Sequence, residues 1–259
     1  LGEAFLPVVF TILMLTYHWQ HLWVIASLSC LLMVPLIWFL LQNERTPQSI
    51  AEEVIAFGLL GKSWSRKEVL THPLFWLMLP AIIGPSACVT SFFFQQVYFA
   101  DIKGLTHLQL VALFPIYTLV AIAFNLISGW ALDKFGLDRT LPFYQIPMVF
   151  AFILFYFVST QTGLAVGLCF LAISAGANST LPTAFWAEYY GTQFLGTIKS
   201  LGTAIMVLGS AIGPGMTGFL IDWGFGIEKQ YFIFGLYFLF STLLMYVGIK
   251  IYSPDKIVE

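Results

Sequence analysis

Gly129-Trp-Ala-Leu-Asp133-Lys134-Phe-Gly136-Leu-Asp138-Arg139 holds four charged side chains within seven positions and lies between two long apolar runs. In a chain with 9% charged residues, such a cluster marks a place where the polypeptide must meet water. Charges are costly in hydrocarbon and glycines let a backbone turn tightly, so the stretch reads as a short loop joining two membrane-spanning helices. It sets the topology of everything around it.

The composition agrees. With 59% hydrophobic and 17% aromatic residues over 259 positions and a mean hydropathy of +0.88, the chain has too little polar surface to coat a water-soluble globule. The expectation is an all-α integral membrane protein embedded in a lipid bilayer. A net charge of −2 with no basic stripe argues against a nucleic-acid partner. Cys30, Cys88 and Cys169 each fall inside an apolar run without metal-type spacing, so they read as small packing residues, and no metal or other cofactor is expected.

Working outward from the charged turn, apolar runs occupy about 108–132 and 141–160 on its two sides, then 164–186, 198–221 and 231–251 downstream and 74–98 upstream. Two more, about 4–17 and 22–41, are divided by His18-Trp19-Gln20-His21. Most are close to the roughly 20 residues that cross a bilayer core of about 30 Å, for eight expected spans in all. Residues 42–72 are different: Glu44, Arg45, Glu52, Glu53, Lys62, Arg66, Lys67 and Glu68 mark a solvated linker. The spacing within 49–60 predicts a short amphipathic surface helix. Ser65 with Glu68 predicts a capping box, and Pro73 the first turn of the next span. Nine Lys and Arg fall on the linker side (Arg45, Lys62, Arg66, Lys67, Lys134, Arg139, Lys199, Lys250 and Lys256) against Lys103 and Lys229 opposite, which predicts that the linker and the C-terminus are cytoplasmic. Trp19, Trp23, Trp38, Trp76, Trp130, Trp186 and Trp223 fall near span ends, as an interfacial belt requires.

The charged turn resembles the signature loop of the major facilitator superfamily, in which a Gly is followed four residues later by Asp, then a basic residue, then a Gly two residues on. Gly129, Asp133, Lys134 and Gly136 match, whereas the paired basic residues of the family are replaced by Leu137 and Asp138, with Arg139 one position late. This departure resembles the second, weaker copy of the loop, in the C-terminal half. The resemblance implies that residues 1–41 are the last two helices of an incomplete N-terminal bundle, 42–72 the inter-bundle linker and 73–259 a C-terminal six-helix bundle. The chain opens on Leu1 with no signal-peptide pattern, which fits a missing N-terminal part. The resemblance further implies a secondary active transporter of a small solute, with an organic acid among the candidates, working by alternating access, monomeric when full length, in the bacterial inner membrane.

The spans contain no central charged residue, and no nucleophile elbow, His-Glu-x-x-His or phosphate loop appears, so an enzyme is not expected. What they do hold is proline and glycine beside neutral hydrogen-bonding residues: Gly84 and Pro85 before Ser91 and Gln95, and Gly176 before Asn178 and Pro182. Interrupted helices of this kind expose backbone groups that a substrate can share. Gln95 and Asn178 are therefore expected to face one central cavity, with Ser91 and Ser174 a turn away on the same faces and Tyr117 on a neighbouring helix. The alternative for each Ser or Thr is a bond to its own helix, and for the Gly209, Gly213, Gly215 and Gly218 ridge, close packing. Asn125 stands where organic-anion members of the superfamily often carry arginine. With no cation there, a carboxylate would need helices outside this chain; otherwise the substrate is neutral. The resemblance makes Gly129, Asp133, Lys134, Gly136 and Arg139 a conformational switch, with Glu188 pairing to Lys134 or Arg139 and Asp133 aimed at the free amides of residues 2–5. A channel, or a non-transporting subunit or receptor, is the rival reading.

Overall fold

The computed structural model describes residues 2–14, 16–42 and 56–253. These form helices α1 (Gly2–Leu13), α2 (Trp19–Leu41), α3 (Arg66–Thr71), α4 (Pro73–Phe94), α5 (Gln96–Ile102), α6 (His107–Val111) and α7 (Phe114–Phe135). There follow α8 (Leu137–Thr140), α9 (Ile146–Phe157), α10 (Gln161–Tyr190), α11 (Leu195–Asp222) and α12 (Ile227–Tyr252). No strand occurs among the described residues. Among the described residues seven helical stretches are long and apolar enough to cross a membrane: Trp19–Leu41, Pro73–Phe94, His107–Phe135, Leu137–Phe157, Gln161–Tyr190, Leu195–Asp222 and Ile227–Tyr252. The first of the eight expected runs differs: α1 has 12 residues, about 18 Å of rise, short of the bilayer core.

The charged turn is not an open loop. Helix α7 continues through Asp133 and Lys134 to Phe135, and a single residue, Gly136, breaks it at φ 78° before α8 begins. A side chain at that φ would be strained, so glycine makes the corner, and its N–H still closes on the Leu132 carbonyl at 2.9 Å. Lys134 sits in the last turn of α7, where its charge complements the helix dipole.

The capping box at Ser65 and Glu68 is present in both directions, and Pro73 occupies the first turn of α4. The amphipathic helix expected over 49–60 lies mostly outside the described residues; residues 56–58 have no regular structure and Leu59–Gly61 is a single 3₁₀ turn. This part of the linker is stitched to the turn after α10. Thr192 N–H donates to Ala56 O at 3.0 Å, Trp64 N–H to Tyr190 O at 3.0 Å, and the Ala56 N–H to Thr192 Oγ1 at 2.9 Å. The linker end of the bundle is therefore where α4 and α11 start and α7, α10 and α12 finish.

Helices pair where small residues let backbones touch. A Cβ on Gly176 of α10 would lie 2.3 Å from Ala121 O of α7, and one on Gly213 of α11 would lie 2.4 Å from Ala87 O of α4. The glycine ridge of α11 thus has the packing role at Gly209 and Gly213, while Gly215 faces open space. Two aromatic-rich cores fill the bundle. At the far end Phe92 stacks on Phe155 at 4.9 Å and Phe152 on Phe238 at 5.6 Å; at the linker end Phe185, Trp186, Tyr189 and Tyr190 pack together. Six of the seven tryptophans expected in the interfacial belt are exposed, but Trp186 is 5% exposed and belongs to the interior. Helix α2 is apolar all round and buries only Leu22, as a lipid-facing helix does.

Candidate functional site

Two cavities flank the middle of the bundle. The first, about 100 Å³, opens toward the linker end between α4, α10, α11 and the approach to α9. Its walls include Met78, Ala81 and Ile82 of α4, Tyr144 just before α9, Asn178, Pro182, Thr183 and Trp186 of α10, and Lys199, Thr203 and Met206 of α11. Pro182 has no N–H, so the Asn178 carbonyl loses its helical donor at the cavity wall. The second cavity, about 560 Å³, lies toward the far end between α1 and the turn after it (Phe10, Thr11, Met14), α4 (Val89, Phe93), Gln96, α6 (His107, Val111) and α7 (Phe114, Tyr117). Its walls are largely aromatic, with Phe93 edge-on to Tyr117 at 5.9 Å. Gln96 Oε1 and His107 Nε2, both on residues lining it, are buried without a hydrogen-bond partner.

The expected site is thereby divided. Asn178 lines the first cavity and Tyr117 the second, whereas Gln95 lines neither: it caps α4, and its amide lies 3.5 Å from where a Cβ on Gly218 would stand. Gln95 is thirteen residues, about 20 Å along α4, beyond Ile82 of the first cavity, so it cannot share that wall with Asn178. Ser91 is fully buried at the α4–α11 contact and donates to Ala87 O of its own helix at 2.7 Å. Ser174 is buried, lines neither cavity and has no partner for its Oγ. Asn125 donates to Ser179 Oγ across the close α7–α10 crossing, a tie between helices.

Proline does open α4 as expected, but the protein itself takes up the exposed group. Pro85 leaves the Ala81 carbonyl without its helical donor, and Gln145 Nε2 reaches it at 2.8 Å and Tyr144 OH at 3.3 Å. Ser241 Oγ completes the fully buried network by donating to Gln145 Oε1 at 2.8 Å. No substrate can share that carbonyl while the network stands.

At the linker end, Asp133 is exposed and Lys134 Nζ stands 4.8 Å over the Trp130 ring. Among the described residues the ion pairs are Lys62–Glu68 and Lys103–Glu228; a Glu188 pair with Lys134 or Arg139 is not among them. Asp133 makes no hydrogen bond or ion pair with any described residue, so the expected bond to the amides of residues 2–5 is not formed here.

Sequence reasoning passed over Asp138, read only as a departure from the loop pattern. Its carboxylate accepts from Tyr189 OH at 2.5 Å and from Ser253 Oγ, so α8 is tied to the ends of both α10 and α12. Lys103, counted as a loop charge, is 5% exposed, pairs with Glu228 at 2.5 Å and donates to Tyr156 O at 3.1 Å, clasping the far end. Lys199, also counted as a loop charge, lies on α11 and faces a cavity. Gln96, next to Gln95 in sequence, opens α5 after the break at Gln95 and lines the far-end cavity. Outside the spans, Ser65 and Lys62 hold the Glu68 carboxyl down to about 2, and burial, with Lys62 nearby, lowers the His72 imidazole below its usual 6.5. Among the described residues no three His, Cys, Asp or Glu side chains stand together.

Comparison with known proteins accords with this architecture. The chain is similar to the "Gentisate transporter" of Corynebacterium glutamicum, with 24% identity over 142 residues, 54% of this chain and 32% of that protein. The chain thus matches about a third of the length of that relative. The family model described as Major Facilitator Superfamily matches residues 1–214 and 112–257. This multi-pass membrane protein belongs to the Major Facilitator Superfamily.

Proposed function

We propose that the protein is a secondary active transporter that carries a small organic acid across the bilayer by alternating access. The observation that carries this reading is the cavity of about 560 Å³ walled by α1 on one side and by α4, α6 and α7 on the other. A site between two helical bodies opens or closes when one rocks against the other, and its volume suits one small solute. The name of the C. glutamicum relative supports an organic acid, and gentisate, a hydroxylated aromatic carboxylate, is the first solute to test. The aromatic wall of Phe93, Phe114 and Tyr117 is compatible with a flat ring, and Gln96 and His107 offer hydrogen-bonding groups beside it.

In this reading residues 1–41 end one bundle, 42–72 link it on the cytoplasmic side, and 73–259 form the other bundle of a monomeric carrier in the bacterial inner membrane. The asymmetry of nine Lys and Arg against two supports the orientation. Gly129, Asp133, Lys134, Gly136, Arg139 and Glu188 form the linker-end switch. Uptake of radiolabelled gentisate into proteoliposomes holding the full-length protein tests the function. Saturation with concentration and acceleration by unlabelled substrate on the opposite side are expected. Linear flux without such counterflow would mean a pore, and absence of any flux of organic acids would remove the transport reading for this substrate class.

A further inference from the structure

The cavity between α4, α10 and α11 has a chemical bias that the far-end cavity lacks. Among the described residues that line it, Lys199 is the one cation and none is Asp or Glu. Among the described residues its ammonium makes no ion pair, hydrogen bond or ring contact, as is also the case for Lys67 and Lys229, whereas Lys62, Lys103, Lys134 and Lys250 each have a carboxylate or an aromatic face. Lys199 is five residues into α11, about 6 Å in from its first residue, so its charge stands at the mouth of the cavity rather than in mid-membrane. Deeper in stand the Asn178 amide, with its half-buried side chain, and Thr183, while the Trp186 ring forms a flat apolar wall backed by Gly202, where a Cβ would be 3.1 Å from the indole. A cation at the rim, amide and hydroxyl groups beyond it and an indole face to one side match a small flat carboxylate and match a neutral or cationic solute poorly.

We propose that this cavity is an anion-binding site in which Lys199 is the counter-ion of a substrate carboxylate and Asn178 and Trp186 hold its body. The proposal rests on the transport reading for its physiological use, but the binding itself does not. It also removes the need to look outside this chain for a cationic partner. An extended Lys side chain reaches about 6 Å, so the ammonium can follow a carboxylate inward as it binds.

The test uses benzoate and its uncharged isostere benzamide, titrated by calorimetry against the full-length protein in nanodiscs. The unmodified protein is expected to bind benzoate about tenfold or more tightly than benzamide; Lys199→Gln is expected to lose that preference with benzamide binding unchanged, and Lys199→Arg to retain it. Lys199 is exposed, so the variants are expected to fold, and an unchanged melting temperature and gel-filtration profile establish that. Equal binding of benzoate and benzamide by the unmodified protein, or undiminished benzoate binding by Lys199→Gln, would overturn the site. Uptake assays keep the two readings apart. Lysine-dependent binding with no transport would leave the anion site and remove the carrier, whereas transport of organic acids undisturbed in Lys199→Gln would leave the carrier and remove the site.

Discussion

Gln145 repairs the backbone that Pro85 opens in α4. It is fully buried, gives its amide N–H to a carbonyl that proline has orphaned, and accepts from Ser241 on a third helix. Replacing it with Leu keeps the bulk but leaves the Ala81 carbonyl to Tyr144 alone and Ser241 unpaired. An unsatisfied buried polar group costs about 1–3 kcal/mol, and interhelical bonds within membranes fall toward the lower end. Gln145→Leu is therefore expected to lower the unfolding temperature in detergent measurably, and Ser241→Ala to lower it less. A Gln145→Leu protein as stable as the parent would show that the network adds nothing.

At the scale of elements, helix pairing depends on a few contacts that admit no side chain. Gly213→Ala places a methyl 2.4 Å from Ala87 O, so α4 and α11 must separate, whereas Gly215→Ala meets nothing within 4 Å. The first is expected to reduce folded yield and uptake severalfold and the second to leave both near the parent level; equal behaviour of the pair in a solubilisation and uptake assay would contradict the packing role. The linker anchor is expected to respond to pH. Glu68 has a folded pKa of about 2, below its ordinary 4.5, so its contribution is complete above 4.5 and is lost as pH falls toward 2. His72 is likewise lowered from 6.5, so its contribution is present above 6.5 and declines as pH falls through the folded value. Both shifts act in one direction. Acidification from pH 7.5 to 5 weakens the anchor through His72, and further acidification adds the loss of Glu68. Hydrogen exchange at residues 56–72 is expected to accelerate, relative to the rest of the bundle, as pH falls, after correction for intrinsic rates; His72→Phe is expected to blunt the first part of the response and Glu68→Gln the second.

For the whole molecule, the two ends of the bundle are tied by different chemistry. At the far end Lys103 and Glu228 join α5, α9 and α12 through one nearly buried ammonium; at the linker end Asp138 joins α8, α10 and α12. A carrier that opens alternately at each end must keep these ties or release them. Asp138→Asn removes the charge from two hydrogen bonds, a loss of about 1–3 kcal/mol, and is expected to make the linker end looser. Asp133, exposed, is expected to act on conformational balance without holding the fold, so Asp133→Asn is expected to slow uptake with little change in melting temperature. Cysteine accessibility at the linker end, compared between the two variants, checks the distinction: Asp138→Asn raises labelling near Tyr189, and Asp133→Asn alters labelling only where the conformational balance has shifted. A large loss of thermal stability in Asp133→Asn would contradict its assignment to the switch.

Much of this was legible along the chain. Apolar runs of bilayer length, the charged turn at 129–139 and its likeness to a family motif, the capping box at Ser65 and the proline opening of α4 are local signals, set by residues near one another in sequence. Side-chain hydrophobicity and backbone chemistry act there without reference to the fold, which is why composition and spacing determined an all-helical membrane protein, while the family came from the likeness of the charged turn to a known motif. The candidate site was legible only in part. Asn178 and Tyr117 were picked out by type, but whether two polar residues share a cavity depends on depth along separate helices, and Gln95 and Asn178 lie at different depths. Nor does a sequence show who satisfies an orphaned carbonyl: proline 85 announces the vacancy at Ala81, while Gln145, sixty-four residues away, fills it. Charges show the same limit. Lys103, Asp138 and Lys199 look alike as span-end charges, yet packing buried one in an ion pair, made one a tie between three helices and left one facing a cavity without a partner, because only the tertiary arrangement decides which groups meet.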